Sequence, residues 1–572
     1  MKTEKPHIDQ KLILRSMALL IGGLVVLASL FYMVHTQRET DSRIFSGPFT
    51  VYDGDERADS VGLDEYSIDH TVKRGEVFVV QGTLPDNLPE AATLSVLTYL
   101  STVDVSVNGR ACYTYGHDLY KAGDIVGSGY HYVNLPDNSA GKPFVVEITA
   151  GERNAFTSIP VFHLTSADRQ FPDFAGKNFF NLLIGIFMIV LGMISAGISL
   201  GLVFKRRRYR RLIYIGMFVL LLGIWILCNT KTMQIFSTNL RFNTILEYAS
   251  LYMAVIPIFC LIRFMRNDAE PWKKYLMDAI VVFTNVFAVC TIVGQASGIY
   301  HISNWLLGFH FECGAALIVY IFTALKPVRE MTASERLMNI AILIMCVFAG
   351  ADLVRFNVQK YIMANEASLD MSFLPLASLV FTVLLFMSNL YYFYEIFTRQ
   401  ARADSLEKAA YEDPVTGLYN RAYSEKRFKE LSKKKTPFLL INMDLNGLKK
   451  TNDTYGHEVG DRLIFRFATA LSEGFSDIGE TYRMGGDEFM VLVAEPDMKK
   501  VREAFQKLFE RTEAYSYGLP TKLSFAYGMA ASGQFEDVPE EHEGKRAELV
   551  YQLADQKMYA MKQAQKNTSQ SV

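Results

Sequence analysis

Seven apolar runs in series, at about 179–204, 212–228, 244–262, 275–293, 306–325, 338–354 and 372–393, constrain this chain more than any other feature. Each approaches the roughly 20 residues that an α-helix needs to cross a bilayer. The spacing therefore predicts a seven-helix membrane bundle over residues 178–397, with the lipid bilayer as its solvent. Half of all residues are hydrophobic and the mean hydropathy is +0.12, which few soluble enzymes match. At 572 residues the chain also exceeds what one core holds, so further domains are expected.

The connections supply an independent reading of orientation, because cytoplasmic loops concentrate Lys and Arg. Lys205-Arg206-Arg207-Arg208-Tyr209-Arg210-Arg211 is the densest basic cluster, followed by Arg263, Arg266, Lys273 and Lys274, then Lys326, Arg329 and Arg336. The alternate loops near 229–243, 294–305 and 355–371 are less basic and are expected outside. An earlier apolar run, Ser16 to Val34, follows a tail at 1–15 and reads as an uncleaved anchor at 16–34. A cleaved signal peptide is the alternative; the run exceeds a usual signal core and no clear small-residue cleavage site follows. The N-terminus and the C-terminal domain then lie in the cytoplasm of a multi-pass plasma-membrane protein, with residues 35–177 outside the cell. Net charge is only −2, so bulk electrostatics names no partner, and nucleic acid is not expected as one.

Residues 35–177 are polar and strand-like. Val103, Val105 and Val107 alternate with Asp104 and Ser106 and run into Asn108-Gly109, a hairpin signal, after which Tyr113-Thr114-Tyr115 resumes the pattern. Runs at 77–80, 130–135 and 144–148 are bounded by Gly, Pro and Asp, and predict an all-β sandwich. By pattern it resembles the jelly-roll ligand-binding modules on the outer side of bacterial receptors. The region is either a sensor for an unknown small-molecule ligand or a spacer. Of six cysteines only Cys112 lies here, so no internal disulfide can form. Ionisable residues within or near the spans, Glu247, Asp278, His310, Glu312 and Asp352, are candidates for a site inside the bundle. Helix–helix contacts or the interface explain Asp278 and Asp352 better, and His310 and Glu312 cannot share a helix face. Residues 398–412 keep helix formers without Pro or Gly and are expected to extend the last span as a helical transmitter.

Within the remaining residues, 413–568, Thr481 to Val493 places two short apolar runs around Gly485 and Gly486, a hairpin turn followed by the carboxylates Asp487 and Glu488. Paired carboxylates beside a side-chain-free turn suit a hard divalent cation and leave room for a phosphorylated ligand. Phe438 to Asp444 reads as a buried strand delivering a further carboxylate at its end, and Asn446-Gly447-Leu448-Lys449 starts a helix whose free N–H groups can hold phosphate.

Gly-Gly-Asp-Glu-Phe at 485–489, with Asp413-Pro414-Val415-Thr416-Gly417-Leu418-Tyr419-Asn420-Arg421 before it and Thr451 to His457, Gly460-Asp461, Leu523 to Ala530 and Ala554 to Lys562 in order, resembles the GGDEF family, the diguanylate cyclases. The resemblance implies a palm-like α/β domain, nucleotidyl-cyclase-like, that joins two GTP into cyclic di-GMP with release of two pyrophosphates. It implies Asp444, the Leu445 carbonyl, Asp487 and Glu488 as ligands of Mg²⁺, or Mn²⁺ in its place. Glu488 either holds a second ion or eases deprotonation of the attacking 3′-hydroxyl. Lys449 and Lys562 match the triphosphate-binding lysines, and Asn452 with Asp461 the guanine-reading pair, a carboxylate accepting from guanine N1 and N2. The outer domain, seven helices and inner output domain together resemble the bacterial seven-helix receptors with diverse intracellular signalling modules.

Two departures from the family pattern stand out. Gln565-Lys566-Asn567 replaces the usual Gly-Arg-Asn, so Lys566 offers phosphate a point charge instead of a bidentate grip. Ser476-Asp477-Ile478-Gly479 stands where many members carry Arg-x-x-Asp, so product inhibition at that surface is not expected. Because one domain holds one GTP, ring closure implies a homodimer. The rival readings are a GTP-binding but inactive regulatory module, and a transporter with an appended domain.

Overall fold

A computed structural model describes residues 43–203, 209–266, 268–361, 374–434, 436–535 and 543–570. The expected tail at 1–15, the anchor at 16–34 and the basic residues 205–208 lie outside the described residues. Two compact units result, Met1–Tyr394 and Glu395–Val572.

In the first unit, ten strands form two sheets. A four-stranded antiparallel sheet runs in the order Arg43–Phe45, Phe162–Ser166, Ala92–Thr98, Gly129–Asn134. A six-stranded one runs Glu56–Val61, Phe49–Asp53, Val77–Thr83, Pro143–Ala150, Ser101–Val107, Arg110–Tyr115. Alternation decides what each sheet buries: Val103, Val105 and Val107 point inward, and the chain reverses at Asn108 and Gly109, whose φ of 51° and 76° are those of a tight hairpin turn. Phe49, Phe78 and Phe144 from one sheet and Leu94, Phe162 and Leu164 from the other share one apolar cluster. Each such side chain contributes about 1.5–3 kcal/mol by leaving water.

Among the described residues, seven helices long and apolar enough to cross a membrane follow, at Phe179–Leu202, Arg210–Asn229, Leu240–Met265, Pro271–Ala296, Ile302–Thr323, Ala333–Asp352 and Leu374–Tyr411. Their connections separate into two ends. At one end, Gln234 bonds both polar groups of Tyr130, accepting from its N–H at 2.9 Å and donating to its carbonyl at 3.0 Å, and so closes an edge strand of the smaller sheet. Beside it the Ser128 N–H donates to Thr244 Oγ1 at 2.8 Å, and His301 pairs with Glu152. The connections at 230–239 and 297–301 therefore meet the β domain. Other connections carry basic residues: Lys326 pairs with Asp268 at 2.7 Å and Glu335 at 2.8 Å. Arg211, 1% exposed, donates to Ser334 Oγ at 2.8 Å and Ser388 Oγ at 2.5 Å and lies over the Tyr392 ring.

Glu247, a candidate for a site within the bundle, is paired with Lys231 at 2.8 Å, both side chains mostly buried. Asp278 holds Arg263 at 2.7 Å. His310 is exposed whereas Glu312 is 2% exposed, so the two do not form one site. The last helix continues without interruption from Leu374 to Tyr411, as its run of helix formers requires.

The second unit holds a five-stranded sheet. Numbered within this unit, its strands are β1 (Tyr419–Asn420), β2 (Phe438–Leu445), β3 (Glu480–Gly485), β4 (Glu488–Ala494) and β5 (Phe525–Ala531). They lie in the order β1-β3-β4-β2-β5, antiparallel except for β1 with β3. The helices are α1 (Arg421–Lys434), α2 (Leu448–Tyr455), α3 (His457–Phe475), α4 (Met498–Ser516) and α5 (Glu543–Gln570). One sheet face packs on α3 and α4 through Phe467, Leu471 and Leu508, the other on α5 through Val550 and Ala554.

Candidate active site

All eight residues of β2 are buried, and the strand's two-residue period divides them between these two cores. Leu439, Ile441, Met443 and Leu445 join the α3 and α4 layer, while Phe438 and Leu440 join the α5 layer. Asn442 continues the second row, donating to the Tyr551 carbonyl at 3.4 Å. Asp444 comes next in that row and so emerges on the α5 side. On β4, Phe489, Val491 and Val493 take the first face and Met490 and Leu492 the second, which puts Glu488 on the side of Asp444. The register pairs the two acids directly.

The hairpin turn differs by one residue from the sequence reading. Gly485 still pairs with Glu488 across a register irregularity after Arg483, so Gly486 (φ 52°) and Asp487 make the turn. Asp487 is therefore in the turn, not past it, and its carbonyl accepts from the Leu445 N–H at 2.9 Å. Three carboxylates from two separate parts of the chain thus gather at the adjoining ends of β2 and β4.

Helix α5 closes over them because Gly528 lets it. Gly528 lies opposite Asn442, and a Cβ there would sit 2.2 Å from both the Ala554 carbonyl oxygen and the Met558 nitrogen. One turn beyond Met558, Lys562 Nζ donates to Asp444 Oδ2 at 2.5 Å. Burial raises the Asp444 pKa, the Lys562 bond opposes this, and Asp487 adds to it. Burial likewise raises that of Glu488, helped by Asp487, Asp555 and Asp444. The other oxygen of Asp444, Oδ1, is buried with no hydrogen-bond partner among the described residues. An orphaned carboxylate oxygen amid further acids fits a divalent cation.

Gly447 (φ 76°) caps α2, with Leu448 buried behind it and Lys449 exposed. The Asn452 side chain lies against Gly460, where a Cβ would fall 1.8 Å from Asn452 Oδ1. That oxygen is buried without a partner among the described residues, and the neighbouring Asp461 is exposed. Lys566 is exposed near the end of α5 and acts electrostatically on Asp444. The departing residue Gln565 is structural: it accepts from Asn446 Nδ2 at 3.0 Å and donates to the Phe525 carbonyl at 3.3 Å.

Arg483, like Gly528, is a residue that sequence reasoning missed. Its Nε and one terminal nitrogen donate to the Gly486 carbonyl at 3.1 and 2.9 Å, and the other terminal nitrogen donates to Asp413 Oδ1 at 3.0 Å. It fastens the turn bearing Asp487 to the 413–417 loop. In sequence it looks like a charge on a strand, ordinarily a solvated face. Its only signal is its place within the hairpin.

Residues 410–568 match the family described as "Diguanylate cyclase, GGDEF domain". Among curated relatives, the "Probable diguanylate cyclase DgcT" of Escherichia coli is 29% identical over 165 residues, 28% of this chain and 35% of that one. "Diguanylate cyclase DgcN" of the same organism is 32% identical over 171 residues, 28% and 40% of the two chains. This chain thus spans well under half the length of either. A solved structure of the coiled coil and GGDEF domain of DgcB from Caulobacter crescentus, in complex with c-di-GMP, matches with 19% identity and a TM-score of 0.27. It covers 32% of this chain and 95% of that one.

Proposed function

Because residues 410–568 are a GGDEF domain of the diguanylate cyclase family, we propose that this chain is a membrane-embedded diguanylate cyclase that makes cyclic di-GMP in response to an extracytoplasmic or membrane signal. The observation that carries the reading is the convergence of Asp444, Asp487 and Glu488 at an Asp444 oxygen that has no donor among the described residues. Asp444, Asp487 and the Leu445 carbonyl would hold Mg²⁺ or Mn²⁺, with Glu488 beside them. When bound, the ion neutralises phosphate charge and polarises the reacting phosphoryl group.

The chain's own residues do the rest. Lys449, Lys562 and Lys566 balance charge on the triphosphate and on departing pyrophosphate, and the N–H groups at Gly447 and Leu448 add donors at a helix start. Asp461 accepts from guanine N1 and N2 with Asn452 beside it, which adenine cannot satisfy. In each half-reaction the 3′-oxygen of one GTP bonds to the α-phosphorus of the other. The bond from that phosphorus to the pyrophosphate breaks, and the hydroxyl proton is lost. Glu488 serves either as a further cation ligand or as the acceptor of that proton; a Glu488→Gln variant that keeps cation binding but loses turnover assigns the second role. Closing the ring takes two opposed domains, hence a homodimer, and whatever alters their encounter alters the rate.

In this reading the basic connections face the cytoplasm, while the two-sheet domain lies outside as a sandwich-like sensor. Membranes bearing the full chain, incubated with GTP and Mg²⁺, should accumulate cyclic di-GMP, and those bearing Asp487→Asn should not. GTP binding without product would instead identify an inactive regulatory module.

A further inference from the structure

At one corner of the two-sheet domain, Asp53 ends its strand opposite Glu56, and Asp69, His70 and Glu76 arrive from the connection leading into Val77–Thr83. The Asp53 side chain is 9% exposed, and none of the described residues donates a hydrogen bond to it. Its nearest basic atom is His70 Nδ1, 3.8 Å from Oδ2. A carboxylate so placed is costly unless a cation compensates it. Burial raises its pKa, His70 alone opposes this, and Glu76, Glu56 and Asp69 add to it.

The imidazole is held as metal-bound imidazoles are. His70 Nε2 lies 2.7 Å from Glu76 Oε1, and Glu76 Oε2 accepts the Lys73 N–H at 2.6 Å. Glu76 is thus anchored by the backbone and in turn fixes the ring, taking the proton-bearing Nε2. Nδ1 faces Asp53 Oδ2 at 3.8 Å and Asp69 Oδ1 at 3.4 Å, so a cation bound there takes the place of a proton between the ring and these carboxylates. Two ligand atoms each about 2.0–2.2 Å from one ion at a tetrahedral angle stand roughly 3.4 Å apart, so these separations admit an ion after small side-chain shifts. Asp53, His70 and Glu76 all have potential ligand atoms within 4.8 Å of one another.

We propose that Asp53 and His70 Nδ1, completed by Asp69 and water and oriented by Glu76, bind a divalent transition cation of the Zn²⁺ or Mn²⁺ class on the β domain. An imidazole ligand favours these over Ca²⁺ or Mg²⁺, which take oxygen. Glu76 is the carboxylate behind the histidine, where replacement weakens affinity without deleting a ligand.

The test is calorimetric titration of the purified full chain in lipid nanodiscs, stripped of metal by a chelator, with ZnCl₂ as the probe. Wild type should bind one equivalent more than Asp53→Asn or His70→Gln, and Glu76→Gln should bind that equivalent about 10–100-fold more weakly. Cation uptake at the cyclase acids is common to all four proteins and cancels in the comparison. Unfolding curves of the metal-free variants check that they fold; should either ligand variant fail to fold, the affinity of Glu76→Gln decides. Equal stoichiometry and affinity in wild type and the folded ligand variants would overturn the assignment. So would displacement of the bound Zn²⁺ by an equal concentration of Ca²⁺.

Discussion

Replacing Gly528 by alanine tests whether the site depends on how closely α5 lies on the sheet. The added methyl would meet the Ala554 oxygen and Met558 nitrogen at 2.2 Å, where ordinary contact begins at 3.4 Å. Both are backbone atoms of one helix and cannot rotate aside, so α5 must retreat by about 1.2 Å, the difference between those two distances. Lys562 follows one turn later, and its 2.5 Å bond to Asp444 would then exceed the hydrogen-bond range of about 3.2 Å. Overpacking of this kind costs about 1–3 kcal/mol. In a domain of this size that lowers the unfolding midpoint by roughly 2–4 °C for each kcal/mol. A displacement near 1 Å at a positioned group costs up to about 100-fold in rate. The expected result is therefore a 10–100-fold slower formation of cyclic di-GMP from GTP and Mg²⁺, though the substituted atom touches no reactant. Gly518→Ala supplies the control: its φ of 76° strains an alanine, but none of the described residues lies within 4 Å of the new methyl. It should lose stability and keep activity. A Gly528→Ala enzyme as fast as wild type, or a Gly518→Ala enzyme equally slow, would refute the account.

Asp444→Asn should lower turnover at least about 100-fold, and saturating Mg²⁺ should no longer raise the unfolding temperature of the C-terminal unit. Arg483→Lys keeps a charge but loses the forked grip on Gly486 and Asp413; turnover should fall roughly tenfold with little change in KM for GTP, measured by initial rates. In the β domain His131, held by Thr98 and Tyr113, has its pKa lowered to about 4 by burial. Its folded pKa lies below the unfolded value of 6.5, so its contribution is complete above pH 6.5 and lost as pH falls toward 4. That amounts to about 3 kcal/mol over the interval, read as urea-unfolding stability against pH, and His131→Gln should flatten the slope. Added cyclic di-GMP should leave the initial rate unchanged. Beside Ser476–Gly479, Arg427 is already engaged by Glu480 at 3.0 Å and Glu430 at 2.9 Å, which disfavours its use as a grip on the product.

Much of the fold was legible because apolar length and alternation are local quantities. Seven runs became seven long helices, and the Val103–Val107 alternation with Asn108-Gly109 became a hairpin. The acidic site was legible at one remove: a strand ending in Asp444 and a turn before Glu488 can be read, but their direct pairing is a matter of register, which no single strand encodes. The turn itself was misplaced by one residue because an irregularity after Arg483 changes the count. Arg483 and Gly528 escaped notice for a shared reason. Their roles lie in what approaches them from elsewhere, Asp413 in one case and α5 in the other, and neither approach leaves a periodic trace.

The same distinction explains why the polar residues of the spans were poorly sorted by sequence. A charge in an apolar run is costly wherever it stands, so hydropathy marks Glu247, His310 and Glu312 alike. Partners separate them: Glu247 is neutralised by Lys231, sixteen residues earlier in a connection that hydropathy treats as merely polar. His310 is exposed on its helix, and Glu312 is buried with both carboxyl oxygens lacking a hydrogen bond among the described residues. The cluster on the β domain reverses the case. Asp53, Asp69, His70 and Glu76 look like ordinary surface charges in sequence, and only the burial of Asp53 beside an anchored imidazole distinguishes them. In both regions what singles a group out is an unmet electrostatic need, which depends on the neighbours that folding brings to it and not on the residue type.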